Sequence, residues 1–208
     1  MRDRVALINL EHIRTQAPHH LYRYLYALPM VRSPVLDAAC GVGYGSYVMA
    51  EHGHMVTAVD IAQEATSFGR TYYGSPNIHW ITADMTLAPW GWETYKTIVS
   101  FETLEHLPNP LGVLKDFHRS LDGDGKLICS VPNEEQYPFN PKNFEGEQYP
   151  HIRHYTPQEF EQLLNSAGFD VIHRGTQLSK KQPHVVTGSG GIFLVYTAVK
   201  KPRVALAA

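Results

Sequence analysis

Three glycines at every second position, Gly41, Gly43 and Gly45, follow a short apolar run, Val35 and Leu36, that ends in Asp37. An apolar segment that passes an acid and enters spaced glycines reads as a strand, a tight turn and the start of a helix. Glycine tolerates positive φ and lets a ligand approach the bare backbone, while N–H groups at a helix start attract an anionic group. Residues 35–45 therefore demand strand, turn and helix in succession, and they pose the question of which ligand sits on the turn.

The chain continues in the same alternation. Residues 46–52 extend the helix and Gly53 ends it as a cap residue would. Residues 55–60 form a β-branched run closing on Asp60, residues 63–73 read as helix, and residues 78–83 are a third strand running into Asp84. A turn-rich passage with Pro89, Trp90, Gly91 and Trp92 precedes a fourth strand at 97–101, then Glu102-Thr-Leu-Glu-His106, a helix at 111–121, a turn at 122–125 and a fifth strand at 126–131. Strands alternating with helices at this spacing predict a parallel α/β sheet with helices on both faces.

Residues 133–155 break the rhythm: Pro138, Pro141, Gly146 and Pro150 are set among Tyr137, Phe139, Phe144, Tyr149, His151, Arg153, His154 and Tyr155. A connection of this length reads as a lid or binding loop. Thr156, Pro157 and Glu159 then spell a capping box opening a helix that runs to Ala167 and is ended by Gly168. Residues 169–174 and 192–199 are the last strands, joined by a Gly-, Ser- and Lys-rich segment expected to be mobile. Near the N-terminus, residues 7–28, with Leu7 and Leu10, predict a helix that restarts after Pro18. Its His19, His20, Tyr22, Arg23, Tyr24 and Tyr26 read either as a ligand mouth or as aromatic packing on the domain edge.

A chain of 208 residues that is 43% hydrophobic fits one domain, with room for a small cap. A formal charge of -2 gives no global electrostatic case for nucleic acid or an anionic membrane. Cys40 and Cys129 form no disulfide framework and no paired zinc ligands. With neither a signal-like apolar run nor a segment long enough to span a bilayer, the expectation is a soluble protein of the reducing cytoplasm.

Asp60 follows Gly41 at the separation at which an acid on a second strand meets the ribose of a nucleoside ligand. A dinucleotide turn requires G-x-G-x-x-G, and its third glycine position holds Ser46 here, with Gly45 one residue early. The sequence instead has Asp37 before the glycines and a third-strand acid, Asp84, in a position to reach an adenine amine.

Asp37-x-Ala39-Cys40-Gly41-x-Gly43-x-Gly45, Asp60, Asp84, the run from Phe101 to His106, Ser130-Val-Pro-Asn133 and Arg153-His-Tyr-Thr-Pro-Gln-Glu-Phe together resemble the class I S-adenosylmethionine-dependent methyltransferases. One departure is Ala39, where that family often carries glycine. The resemblance implies a Rossmann-like fold: a mostly parallel seven-stranded sheet with an antiparallel last strand and helices on both faces. It implies one methyltransferase domain over residues 1–208, an N-terminal helical cap at 1–30 and a substrate lid at 133–155. It also implies that Asp37, Ala39, Cys40, Gly41, Gly43 and Gly45 surround the methionine part of S-adenosylmethionine and that Arg23 covers its end. Asp60, with Ile61 beside it, would take the ribose, Asp84 the adenine amine with Met85 near, and Phe101 and Glu102 would wall the sulfonium. S-adenosyl-L-homocysteine would be the product.

Methyl transfer from a sulfonium is an in-line displacement in which positioning supplies much of the acceleration. If the acceptor must lose a proton, His106 is the first candidate base, with Glu105 orienting it, and His151 and His154 are the second. No metal is expected, because histidines three apart without an acid or cysteine pattern are weak evidence of one. The leading acceptor is a small molecule, a sugar or nucleotide-sugar hydroxyl or amine, by similarity to methyltransferases found with bacterial surface-glycan enzymes. A second reading is nucleic-acid modification, with Arg174, Lys180, Lys181, His184, Lys200, Lys201 and Arg203 on phosphate. A third is a non-catalytic, cofactor-binding partner subunit, against which the long lid argues.

Overall fold

The computed structural model describes residues 13–15, 17–87, 91 and 94–201. Leu7, Leu10, Pro89, Trp90, Trp92 and Arg203, together with the first twelve residues of the expected cap, lie outside them. Eight strands form one sheet: β1 Val35–Ala38, β2 Val56–Asp60, β3 Ile78–Thr82, β4 Tyr95–Phe101, β5 Leu121–Pro132, β6 Phe169–Ser179, β7 Gln182–Thr187 and β8 Phe193–Lys200. Their order is β3-β2-β1-β4-β5-β8-β6-β7. The first five pair in parallel, β8 runs antiparallel to both β5 and β6, and β7 runs antiparallel to β6. The helices are α1 Pro18–Ala27, α2 Tyr44–Glu51, α3 Gln63–Tyr72, α4 Pro110–Ser120 and α5 Pro157–Ser166.

The central strands are apolar on both faces because both faces are covered. Successive residues divide between two clusters: Leu36, Ile98 and Leu127 pack with Leu114, Phe117, Phe160 and Leu164 of α4 and α5. Val35, Val99 and Ile128 pack on the other side with Tyr24 of α1 and Met49 of α2. This is the two-residue period of a strand expressed as two cores. The helix boundaries follow their caps: Pro18 opens α1, Asn109 accepts the Gly112 N–H at the start of α4, and Thr156 and Glu159 close the expected capping box on α5.

Three local expectations change. The sheet has an eighth strand, because the segment expected to be mobile supplies β7, which pairs with an extended β6 and packs against α1. The turn at 122–125 is a bulge within β5, since Leu121 pairs with Tyr95 and Lys126 with Thr97. Asp122 and Asp124 on it both lie 2.9 Å from Lys96 Nζ. Residues 133–155 are closed at their base by a bridge between Asn133 and Tyr155 and contain a short 3-10 turn, Pro141–Phe144. The Asn133 amide donates to Ser189 O and Gly191 O, tying this base to the turn before β8. No helix of the described residues is long and apolar enough to cross a membrane.

Candidate functional site

The ends of β1, β2, β3 and β4 meet the glycine turn, and the three glycines there do different things. A Cβ placed on Gly41, at φ 58°, meets nothing within 4 Å, so this backbone faces open space. A Cβ on Gly43, at φ 87°, would lie 2.0 Å from the Trp80 indole. A Cβ on Gly45 would lie 2.1 Å from the Tyr24 ring. Gly41 is thus the glycine with open space before it, while Gly43 and Gly45 admit side chains of β3 and α1. Ala39 also has positive φ, 60°, a conformation costly for any residue with a Cβ.

Asp37 is fully buried and accepts from Ser46 Oγ at 2.6 Å and from the Tyr24 hydroxyl at 3.1 Å. Burial pushes its carboxyl up to about 7 despite those two bonds. Ser46 is therefore more than a missing glycine, since its hydroxyl ties α2 to β1. Cys40, buried beside Asp37, is likewise held protonated by burial.

Asp60 accepts the Gly41 N–H at 2.8 Å and the Ala62 N–H at 2.9 Å, joining the turn to the start of α3. Ile61 beside it is 43% exposed, an apolar surface at the mouth of the site. Asp84 accepts the backbone N–H and hydroxyl of Thr86 on Oδ1, at 2.8 Å and 2.7 Å. A carboxylate has about four acceptor positions, so both acids can take further donors. Met85, expected near adenine, is buried in the core with Leu114, and Phe101, expected as a wall, packs edge-on against Tyr24 with ring centroids 5.0 Å apart.

Arg23 of α1 is completely buried. Its Nε donates to Gln177 Oε1 at 2.8 Å, its guanidinium lies 4.3 Å from the Phe193 ring centroid, and Nη2 is 3.7 Å from Glu102 Oε1. Among the described residues, Nη2 has no hydrogen-bond partner. Glu102 has φ 51° and is fastened by Ser130, whose Oγ donates to Glu102 Oε1 at 2.7 Å. Strained non-glycine backbone held by neighbouring bonds gathers at functional sites. The aromatic N-terminal cluster divides: Arg23 and Tyr24 face this site, whereas Tyr22 packs on His184 and Tyr26 on His173. His19 stacks on Phe193, and burial with the nearby Arg23 lowers it to about 3.

The candidate bases lie just beyond β4. Glu105 is fully buried, and among the described residues neither carboxylate oxygen has a hydrogen-bond partner. Burial, with the Glu102 charge adding, raises its carboxyl well above the usual range. Glu105 therefore does not orient His106 by a hydrogen bond, as the sequence suggested; His106 Nδ1 instead faces Pro150 O at 3.2 Å. His154 is buried with Nδ1 2.6 Å from Tyr137 O, and His151 Nδ1 lies 3.0 Å from His154 Nε2. Burial, then the neighbouring His106 and His154, lower His151 to about 3.

Gln177 and Trp80 touch these residues and carried no signal in the sequence, whereas Ser130 belonged to the Ser130-Val-Pro-Asn133 motif without a role being read for it. Gln177 lies 154 residues from Arg23 in the chain. Several basic side chains considered for phosphate contacts are engaged elsewhere: Arg174 makes two 2.7 Å bonds to Glu161, Lys200 donates to Leu121 O and Lys201 to Asn165.

A sequence profile described as a methyltransferase domain matches residues 10–174. A Mycobacterium tuberculosis protein named "Probable S-adenosylmethionine-dependent methyltransferase" is 31% identical over 141 residues, covering 65% of this chain and 48% of that protein. A ubiquinone biosynthesis O-methyltransferase of Idiomarina loihiensis is 33% identical over 102 residues, covering 48% of this chain and 42% of the other. The chain thus spans about half the length of these relatives. Among solved structures, the Burkholderia thailandensis 1,6-didemethyltoxoflavin-N1-methyltransferase with bound 1,6-didemethyltoxoflavin and S-adenosylhomocysteine superposes with a TM-score of 0.68 at 20% identity. That match covers 90% of this chain and 80% of the other, and it shows the shared fold.

Proposed function

The chain belongs to the methyltransferase-domain family, and from that membership we propose that it is an S-adenosylmethionine-dependent enzyme that methylates an oxygen or nitrogen of a small polar acceptor. A sugar, nucleotide sugar or related metabolite is the favoured acceptor. The observation that carries the cofactor assignment is the joint placement of the open Gly41 backbone and the Asp60 carboxylate bonded to it. A second fit is the buried Arg23 Nη2, a cationic donor lacking a hydrogen-bond partner.

When bound, S-adenosylmethionine supplies an electrophilic sulfonium methyl group. Asp60 accepts from the ribose hydroxyls in addition to its two backbone donors, and Asp84 accepts from the adenine amine. Arg23 donates to the methionine carboxylate, and the start of α2, whose cap Gly43 brings no side-chain acceptor, favours the same negative charge. Residues 133–155 cover the acceptor and exclude water. Positioning does much of the work, and a hydroxyl or protonated amine must also lose a proton. His106 is the first side chain to take it, with His151 second; His154, whose ring nitrogens face Tyr137 O and His151 Nδ1, positions His151, and Glu105 is buried beside them. Relatives named for ubiquinone and toxoflavin substrates support a small-molecule acceptor, and the engagement of Arg174 by Glu161 argues against a phosphate-tracking surface.

Calorimetric titration with S-adenosylmethionine tests the reading. The intact protein binds one equivalent, and Asp60→Ala weakens binding at least about tenfold, equal to about 1.4 kcal/mol. Undiminished affinity in that variant would remove the ribose assignment.

A further inference from the structure

We propose that Glu105, His106 and His151 form a binding site for a divalent transition-metal ion at the acceptor end of the cleft. The proposal rests on the reading of the chain as a methyltransferase, deepens it to an acceptor that offers an oxygen to the ion, and runs against the expectation from histidine spacing alone. The juxtaposition comes from the tertiary structure: one ligand atom from each of the three side chains lies within 4.8 Å of the others. Glu105 and His106 leave β4 together, whereas His151 arrives from the 133–155 loop. Ile152 N–H donates to Glu105 O at 3.0 Å, holding that loop segment to the strand end.

The second observation is Glu105 itself, with both carboxylate oxygens buried and neither hydrogen-bonded among the described residues. A buried acid with no partner is costly, and a cation is one of few groups that can compensate it. The histidines are prepared in the manner of ligands. A carbonyl can only accept, so His106 donates Nδ1–H to Pro150 O and carries its lone pair on Nε2. By the same rule His154 donates Nδ1–H to Tyr137 O. With that bond made at Nδ1, His154 Nε2 is placed to accept from His151 Nδ1–H, which leaves the His151 lone pair on Nε2. Metal-bound histidines characteristically give their other N–H to a carbonyl or similar acceptor, which sets ring orientation and tautomer. Phe144 stacks on His151 with centroids 4.1 Å apart and fixes the ring plane further.

Two imidazoles and one carboxylate suit zinc, manganese, iron or cobalt better than magnesium, which prefers oxygen ligands. Bonds of about 2.0–2.2 Å keep ligand atoms within roughly 4.3 Å of each other, so binding draws the three slightly together. Three protein ligands leave coordination positions open for an acceptor oxygen.

The test uses the full chain, without a polyhistidine tag, stripped by chelator and titrated calorimetrically with Zn²⁺, Mn²⁺ and Mg²⁺. One Zn²⁺ or Mn²⁺ binds per chain, Mg²⁺ binds at least about tenfold more weakly, and the melting temperature rises with the ion. Glu105→Gln and His151→Ala each lower affinity at least about tenfold. Glu105→Gln removes the uncompensated acid, so its metal-free form melts no lower than the metal-free parent; if it fails to fold, His151→Ala decides. Absence of binding to the folded parent, or undiminished binding in the variants, overturns the site. S-adenosylmethionine titrated into the same samples reads the parent assignment separately: retained cofactor binding without ion binding refutes this site alone.

Discussion

Replacing Gly41 and Gly43 one at a time by alanine separates the ligand-facing turn residue from the packing residue. At Gly43 the backbone has φ 87° and the new Cβ would lie 2.0 Å from the Trp80 ring. Left-handed backbone costs a residue with a Cβ about 1–2 kcal/mol. Overpacking against an indole wedged between Gly43 and Gly69 adds about 1–3 kcal/mol. Less about 0.4–1 kcal/mol from the restricted unfolded chain, Gly43→Ala should therefore lose about 1–4.5 kcal/mol of stability, enough at its upper end to threaten folding of a domain with ordinary reserves. At Gly41, φ is 58° and nothing stands within 4 Å of the new methyl. Only the backbone cost remains, offset by about 0.4–1 kcal/mol from the restricted unfolded chain. Gly41→Ala should therefore cost about 1 kcal/mol, yet weaken S-adenosylmethionine at least about tenfold, because the methyl occupies the approach to Asp60. Urea unfolding and calorimetric titration of the two variants give the comparison. Equal stabilities, or a Gly41→Ala variant with parental affinity, would refute the division of roles.

Two further substitutions probe the same turn. Ala39→Gly relieves a positive φ of 60° and should stabilise the protein by up to about 1 kcal/mol in urea melts; a loss of stability would mean that the Ala39 methyl packs usefully. Burial pushes the Asp37 carboxyl up from the ordinary 3.8 to about 7, so between those values the folded state holds the proton more tightly than the unfolded state. Stability from this group then falls as pH rises from about 4 to about 7 and levels off above, by at most about 4 kcal/mol. In thermal melts the gap between parent and Asp37→Asn should change across that window, and a pH-independent gap would show that the acid is ionised when folded.

The features readable in the sequence were those decided by near neighbours. Thr156, Pro157 and Glu159 are a capping box because the bonds span three residues. Val35 and Leu36 read as strand, and the acids mark the C-terminal parts of three strands: Asp37 lies near the end of β1, Asp60 ends β2 and Asp84 follows β3 by two residues. The Gly-, Ser- and Lys-rich passage before β8 misled, because β7 is an edge strand with a largely exposed face, and edge strands lack the apolar density that marks buried ones.

The order of strands and helices, the nucleoside-type turn and the acids around it were all written locally, since period, cap and turn chemistry act over a few residues. Only the tertiary structure decided that Gly41 faces open space while Gly43 and Gly45 face Trp80 and Tyr24. It alone brought Gln177 to Arg23 and His151 to Glu105. Those contacts depend on the register of strands and the path of a loop far apart in the chain, and sequence separation carries no distance. A buried carboxylate without a partner likewise cannot be recognised in Glu-His until the fold has taken the water away from it.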